Sequence, residues 1–437
     1  MPRPPSPHFC MKISKGWRVE CESAVADIFD KQLTAVMQHA TRMRPRAVYN
    51  ALEARGGEVF LGGKRLVMAA RNDYLGLSGH PRVVAAAADA ARRWGASASA
   101  SRLIGGTLTL HEELEARLAA FLDAEAVIVT TTGFEANLAL APLLGRGDIV
   151  FSDKANHASL IEAVRLGFAD RRWYRHSDMA DLERKLAVAD PDAAKAILTD
   201  GLFSMEGDLC RLPELVSLAR RYGARLVVDG AHDIGLLGPG GRGVTDHFGL
   251  PDAVDLHTGT LSKGFGSIGG FLAGPAEVIH YLRHTSRSVI FTTSIPPASA
   301  AAALAALTII ETEPERRARA FEVARRVRDG LRGLGFDTGE SVTPIVPVIT
   351  GRKELATALW REVLTEGVFT SAVSAPAVPE ERSLVRLSLQ ATHTDEDIER
   401  ILGAFAHAGR RLGLIPAGPP PVPVQPMLRE TLLDWVS

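Results

Sequence analysis

The alternation of apolar and polar positions divides the chain into recognisable elements. Around HEELEARLAAFL, Leu110, Leu114, Leu118 and Leu122 recur every four residues, which predicts an amphipathic helix. Short β-branched runs follow at Ala126 to Val129, Ile149 to Ser152, Ala196 to Thr199, Arg225 to Asp229, Val254 to His257 and Gly270 to Ala273. Most are separated by helical segments of about ten residues or more, the length a parallel crossover needs. The pattern predicts a doubly wound α/β domain with a mostly parallel sheet. Beyond Pro297 an Ala-rich and then Arg-rich helical stretch runs to about Leu334. Strands near Ile345 and Val385 and a last helix from Asp395 then predict a smaller C-terminal α+β domain. Both ends are Pro-rich, and the tail PAGPPPVPVQP from Pro416 reads as extended chain. The expected division is an N-terminal arm over 1–55, a large domain over 56–310, a small domain over 311–415 and a tail over 416–437. There is no internal repeat.

Composition narrows the class. A chain of 437 residues that is 46% hydrophobic and 23% charged can bury a large core, and its net charge of −1 lacks the basic excess that nucleic acid or an anionic membrane calls for. Cys10, Cys21 and Cys210 are too few and scattered for a disulfide framework or a zinc site, so a reducing, cytoplasmic setting is expected and no metal. No run approaches a membrane span, and MPRPPSPHFCMKISKGW lacks the apolar core of a signal peptide.

In parallel sheets ligands sit beyond the C-terminal strand ends. The strand RLVVD ends in Asp229, three residues before His232, and the next strand runs into HTGTLSKGFG, which delivers Thr260 and Lys263 in a Gly-flanked turn. A lysine that is partly desolvated can be neutral and form a Schiff base, and flanking glycines would let the backbone approach a bulky ring. A buried carboxylate such as Asp229 would keep a pyridine nitrogen protonated, the requirement of pyridoxal 5'-phosphate (PLP). Thr132, Gly133 and Phe134, between the strand AVIVT and the helical EANLALAPLL, offer hydroxyl and backbone N–H groups for a phosphate, and Thr260 another hydroxyl. His157, in NHAS, is either a loop histidine or an imidazole stacked on the ring. Arg386, in LVRLSLQATHT, is either an arginine on an exposed sheet face or a clamp on a substrate carboxylate. Each piece alone is common; their order at successive strand ends is what points to a PLP site.

RNDYLGLSGHP, SRLIGGTLTLHEELE, TTGFEANLA, NHASLIEA, TDGLFSMEGD, VDGAH, TGTLSKGFG, FTTSIPPA and LVRLSLQATHTDEDIE, in this order, resemble the α-oxoamine synthase family from about Arg44 to Leu412. The resemblance implies a PLP fold-type I, aspartate aminotransferase-like large domain. It makes Lys263 the Schiff-base lysine, Asp229 the partner of the ring nitrogen, His157 the stacking imidazole, and His232 with Ser204 the neighbours of the phenolic oxygen. The phosphate would be held by Thr132, Gly133, Phe134, Thr260 and, from a second subunit, Thr293, implying a homodimer with shared active sites. Arg386 with Asn72 would meet the substrate carboxylate, and Arg46, with Arg42 and Arg44 nearby, the thioester arm. Three features depart from the family: Gly230 and Asp233 around the histidine, where an acidic and a small residue are usual; GASASASR over Gly95 to Arg102; and Asp200 in place of a glutamate.

The reaction so implied joins glycine, alanine or serine to an acyl thioester of coenzyme A or an acyl-carrier protein, with loss of CO₂ and thiol. An aminotransferase or aldolase reaction on the same fold would share Lys263 and Asp229 without a thioester. A non-catalytic subunit would typically lack the lysine. A serine acyltransferase of the S-x-x-K kind is excluded because Thr260 stands three residues before Lys263.

Overall fold

The computed structural model describes residues 53–55, 58–61 and 63–417. Arg42, Arg44, Arg46, Cys10, Cys21 and the tail beyond Ala417 lie outside them. The chain opens with three short strands, β1 (Glu53–Arg55), β2 (Glu58–Leu61) and β3 (Lys64–Met68), paired antiparallel in succession. The central sheet is built from β4 (Ala126–Thr130), β5 (Ile149–Asp153), β6 (Asp170–Tyr174), β7 (Lys195–Asp200), β8 (Ala224–Asp229), β9 (Leu256–Thr260) and β10 (Gly270–Gly274). Their order is β4-β10-β9-β8-β7-β5-β6, and every pairing is parallel except the two made by β10.

Both faces of this sheet are covered, which is why its strands read as continuous apolar runs. Side chains alternate across it: Phe151, Ile197, Val228 and Phe271 enter one core, and their neighbours Val150, Leu198, Val227 and Leu272 the other. Leu114 and Leu118 of the helix Thr109–Leu122 enter the first core fully buried, as the spacing of four predicts. The Ala-rich helix Pro297–Thr312 packs on the same side against Pro81–Trp94. A second sheet holds β11 (Ile345–Gly351), β13 (Ser371–Val373) and β14 (Ser383–Ser388) in the antiparallel order β11-β14-β13. Helices Lys353–Thr365 and Asp395–Arg411 pack with it, and β12 (Val368–Phe369) pairs in parallel with β3, tying residues 64–68 to the C-terminal segment.

Several expectations are corrected. The strand expected at Val254 to His257 is displaced to Leu256–Thr260, where Thr258 and Thr260 are buried by their hydrogen bonds despite their polarity. β10 runs antiparallel because the Leu261–Gly269 connection is too short for a crossover of a dozen or so residues. β6 was not anticipated: as an edge strand with the sequence DRRWY it carries no apolar run. The long helical stretch to Leu334 is two helices broken at Glu313 and Pro314, and the EANLALAPLL helix ends at Leu138 before Pro142.

Candidate active site

The parallel strands bring Asp153, Asp200, Asp229 and Thr260 to one edge of the sheet, with Asp200 level with Asp229 and Asp229 level with Thr258. Above this edge lies a cavity of about 200 Å³ whose walls include Thr132, Gly133, Phe134, His157, Asp229, His232, Thr260 and Lys263. A larger one of about 630 Å³ opens at the opposite ends of the strands, among Leu144, Ala196, Val227 and Val278. We place the chemistry in the smaller, where the amine, imidazoles and carboxylates converge.

Asp229 is 4% exposed, and each of its oxygens accepts one hydrogen bond. Its Oδ1 accepts the Ala231 N–H at 2.9 Å, and its Oδ2 accepts from Asn137 Nδ2 at 2.6 Å. Asn137 was not singled out in the sequence, yet it joins two sides of the site. The same amide donates to Ser159 Oγ at 2.8 Å and accepts from Thr258 Oγ1 at 2.6 Å. Ser159 Oγ in turn meets His157 Nδ1 at 2.6 Å. The His157 backbone N–H donates to the Asp200 carboxylate at 3.2 Å, and the ring is left open to solvent at the cavity mouth, edge-on to Phe134. Burial, reinforced by the charge of Asp229, pushes the Asp200 carboxyl well above the usual range.

Lys263 sits in the turn after β9, its Nζ 2.7 Å from His232 Nε2. Burial lowers the amine from its ordinary value to about 8 even though Asp229 and Asp200 favour its charge, so a neutral fraction is within reach near neutral pH. The neighbouring glycines are required by the protein's own packing. Gly266 has φ +60°, and a Cβ there would stand 2.4 Å from Ser78 N. His232 is 6% exposed, and its Nδ1 is 2.7 Å from the hydroxyl of Tyr74, a fully buried residue inside RNDYLGLSGHP that was not assigned a role. Burial, with Lys263 and Arg386 nearby, holds the His232 imidazole well below its ordinary value, hence neutral.

At the other end of the cavity, Thr132 caps the short helix Gly133–Leu138, accepting the Glu135 N–H at 3.1 Å. A Cβ on Gly133 would lie 2.8 Å from Thr260 Cβ, so only glycine lets this turn close against β9. Thr260 Oγ1 donates to Gly269 O at 3.0 Å and lies 2.8 Å from Ser262 Oγ, an exposed hydroxyl that also lines the cavity and was overlooked. Thr293 is exposed and is not part of this cavity wall; its carbonyl accepts from Thr131 Oγ1.

Arg386 corrects the exposed-face reading. It is 6% exposed; its Nε donates to the carbonyl of Ser204, and Nη1 and Nη2 each donate to Asn72 Oδ1 at 3.1 Å. Among the described residues no carboxylate pairs with this guanidinium. Ser204 reaches the site through this carbonyl contact and is not among the cavity-lining residues.

The departures at Gly230 and Asp233 are spatially one. Asp233 is 1% exposed, with Oδ2 accepting the Val244 N–H at 3.0 Å and Oδ1 buried without a partner. A Cβ at Gly230 would be 2.7 Å from Oδ1, and one at Gly201 2.3 Å from Oδ2, so the carboxyl occupies room that side chains there would need. Burial raises it to about 7. In the GASASASR run, Arg102 is buried and donates to Glu115 at 2.7 Å, Thr107 at 3.0 Å and the Val129 carbonyl at 3.2 Å, anchoring the loop to β4.

Parallel strands that end around one lysine-bearing cavity are the arrangement of PLP fold-type I enzymes. The chain belongs to the aminotransferase class I and II family, which residues 66–405 match. It is 43% identical over 362 residues to an 8-amino-7-oxononanoate synthase of Thermoanaerobacter pseudethanolicus, covering 82% of this chain and 92% of that one. It is 44% identical over 356 residues to a serine palmitoyltransferase of Sphingobacterium spiritivorum, covering 80% and 89%. A serine palmitoyltransferase of S. paucimobilis, solved with a bound PLP–myriocin compound, superposes with a TM-score of 0.85 at 32% identity over 89% of this chain and all of that one. PLP is the cofactor, and the chain is a PLP-dependent acyltransferase of the α-oxoamine synthase kind. The residues present fit that group: a buried carboxylate, an amine and a hydroxyl-lined glycine turn that a Cβ would block surround one small cavity. Among the described residues no helix is long and apolar enough to cross a membrane, and no cluster of three His, Cys, Asp or Glu side chains could hold a metal ion.

Proposed function

We propose that the enzyme condenses glycine, alanine or serine with an acyl thioester, carried by coenzyme A or an acyl-carrier protein, to give an α-aminoketone, CO₂ and the free thiol. The observation that carries the substrate side of this reading is Arg386. A buried guanidinium with only neutral partners is costly unless an anion completes it, and the carboxylate of an amino acid supplies one in bidentate geometry.

When bound, PLP supplies an electron sink for the negative charge that develops at the amino acid's α-carbon. Lys263 would hold the cofactor through Nζ and, when free, would take the α-proton on the same atom; its lowered basicity suits both tasks. Asp229, fixed by Asn137 and Ala231, holds a proton at the ring nitrogen. His157 would stack on the ring, and His232 would neighbour the phenolic oxygen. Thr132, Gly133, Phe134 and Thr260, which line the cavity, would hold the phosphate. Arg46, outside the described residues, is assigned to the thioester arm. Thr293 does not line its own cavity, and the exposed Phe291 stands two residues before it, which supports a homodimer in which it serves the second site.

The test is thiol release from acyl-CoA or acyl-carrier protein, with each amino acid in turn, alongside release of its carboxyl carbon as CO₂. Both are expected together and only when both substrates are present. Turnover of an amino acid that is indifferent to any thioester would replace this reading with an aminotransferase or aldolase reaction.

A further inference from the structure

A continuous chain of side chains links the carboxylate end of the site to the lysine. Lys263 Nζ lies 2.7 Å from His232 Nε2, and His232 Nδ1 lies 2.7 Å from the Tyr74 hydroxyl. That hydroxyl is 3.3 Å from Asn72 Oδ1, which also receives both terminal nitrogens of Arg386 at 3.1 Å and Ser388 Oγ at 3.0 Å. An amide oxygen has two lone pairs. Four donors converge on this one, and Tyr74 has the longest contact of the four.

The neutral imidazole of His232 carries one ring proton, so it donates through one nitrogen and accepts through the other. While Arg386 occupies Asn72, the Tyr74 proton is directed to His232 Nδ1. The ring proton then sits on Nε2 and faces Lys263, which must accept it with a neutral amine. When an anion draws Arg386 away, Asn72 Oδ1 is freed for the Tyr74 hydroxyl. The Tyr74 oxygen can then accept from Nδ1–H, and Nε2 is left to accept from a protonated Lys263. The tyrosine keeps its proton in both states, and the extra proton on Nζ is the one taken up from substrate or solvent.

We propose that Tyr74 is a positioning residue that couples occupancy of Arg386 by the substrate carboxylate to the direction of the hydrogen bond at Lys263 Nζ. The proposal rests on the reading of Arg386 as the carboxylate clamp. Its consequence is that the lysine is nucleophilic while the carboxylate site is empty and a better base once it is filled. Tyr74 suits the part because burial pushes its hydroxyl up to about 12, so it passes hydrogen-bond direction without ionising. The acidic groups facing Lys263 are Asp229 and Asp200 at the strand ends and Asp233 in the turn after β8, which favour its protonation, and Arg386 on β14 opposes it; His157 and His232 complete the walls. Neutralising Arg386 would therefore raise the proton affinity of Lys263 through space as well, and the experiment has to separate the two routes.

The full-length protein without PLP is labelled with trace acetic anhydride across a pH series, and acetylation of Lys263 is read by mass spectrometry, with and without propionate as the carboxylate probe. In the wild type propionate is expected to move the Lys263 midpoint upward. In Tyr74→Phe, which keeps the ring, that movement is expected to shrink by about 0.7 unit, the equivalent of one net hydrogen bond. Asn72→Ala, which removes the acceptor and leaves Tyr74, is expected to shrink it likewise. Equal movement in all three proteins would overturn the relay and leave the Arg386 reading standing. No movement in the wild type would overturn both.

Discussion

The two ends of the central sheet contrast. The N-terminal ends of the strands open onto a cavity of about 630 Å³ lined by leucine, valine and alanine together with scattered charged residues such as Glu125, Lys195 and Arg225, and the C-terminal ends onto one of about 200 Å³. The smaller holds Lys263, His157, His232, Asp200 and Asp229, with the amine, His232 and Asp200 displaced from their ordinary proton affinities. Chemistry is marked by the convergence of groups whose burial would be costly without a use for it.

Four substitutions break or sharpen that contrast. At the C-terminal end, Arg386→Gln should raise the KM for the amino acid roughly 100-fold with a smaller effect on thioester KM, because charge-assisted hydrogen bonds worth about 1.5–3 kcal/mol each are lost. Steady-state kinetics in each substrate decide it. Asp233→Asn should stabilise the protein by roughly 4 kcal/mol at pH 8, at about 1.4 kcal/mol per unit of displacement. The folded Asp233 keeps its proton up to about 7, above its ordinary 3.8, so between those values the native state binds a proton that the unfolded chain has released. Stability from this residue therefore falls as pH rises through that window, and the advantage of the asparagine should vanish near pH 4 in denaturant titrations. Asn137→Ala should weaken PLP binding about tenfold, measured by equilibrium titration, because Asp229, Ser159 and Thr258 each lose a partner. At the opposite end, Ala196→Val should leave PLP affinity unchanged and stability within about 0.5 kcal/mol. A large effect of Ala196→Val on turnover would mean that the larger cavity takes part in the reaction.

What was legible in the sequence follows the same division. Lys263, Asp229 and Thr132 were found because each follows an apolar strand, and a polar residue at that position has few structural reasons to be there. β6 was invisible because an edge strand can be charged throughout, and the reversal of β10 lay in the length of a connection rather than in residue types. Asn137 and Tyr74 escaped for a different reason. Each sits inside a recognisable motif, but its role is set by partners 92 and 158 positions away in the chain, which no local pattern encodes. For Arg386 the alternation along β14 left either face open, and only the structure shows the side chain buried.

The most direct test of the account is to reduce the PLP-loaded enzyme with borohydride and map the modified residue by mass spectrometry. The account predicts a single phosphopyridoxyl group on Lys263, absent from Lys263→Ala. Modification of another lysine, or equal modification of the variant, would contradict it.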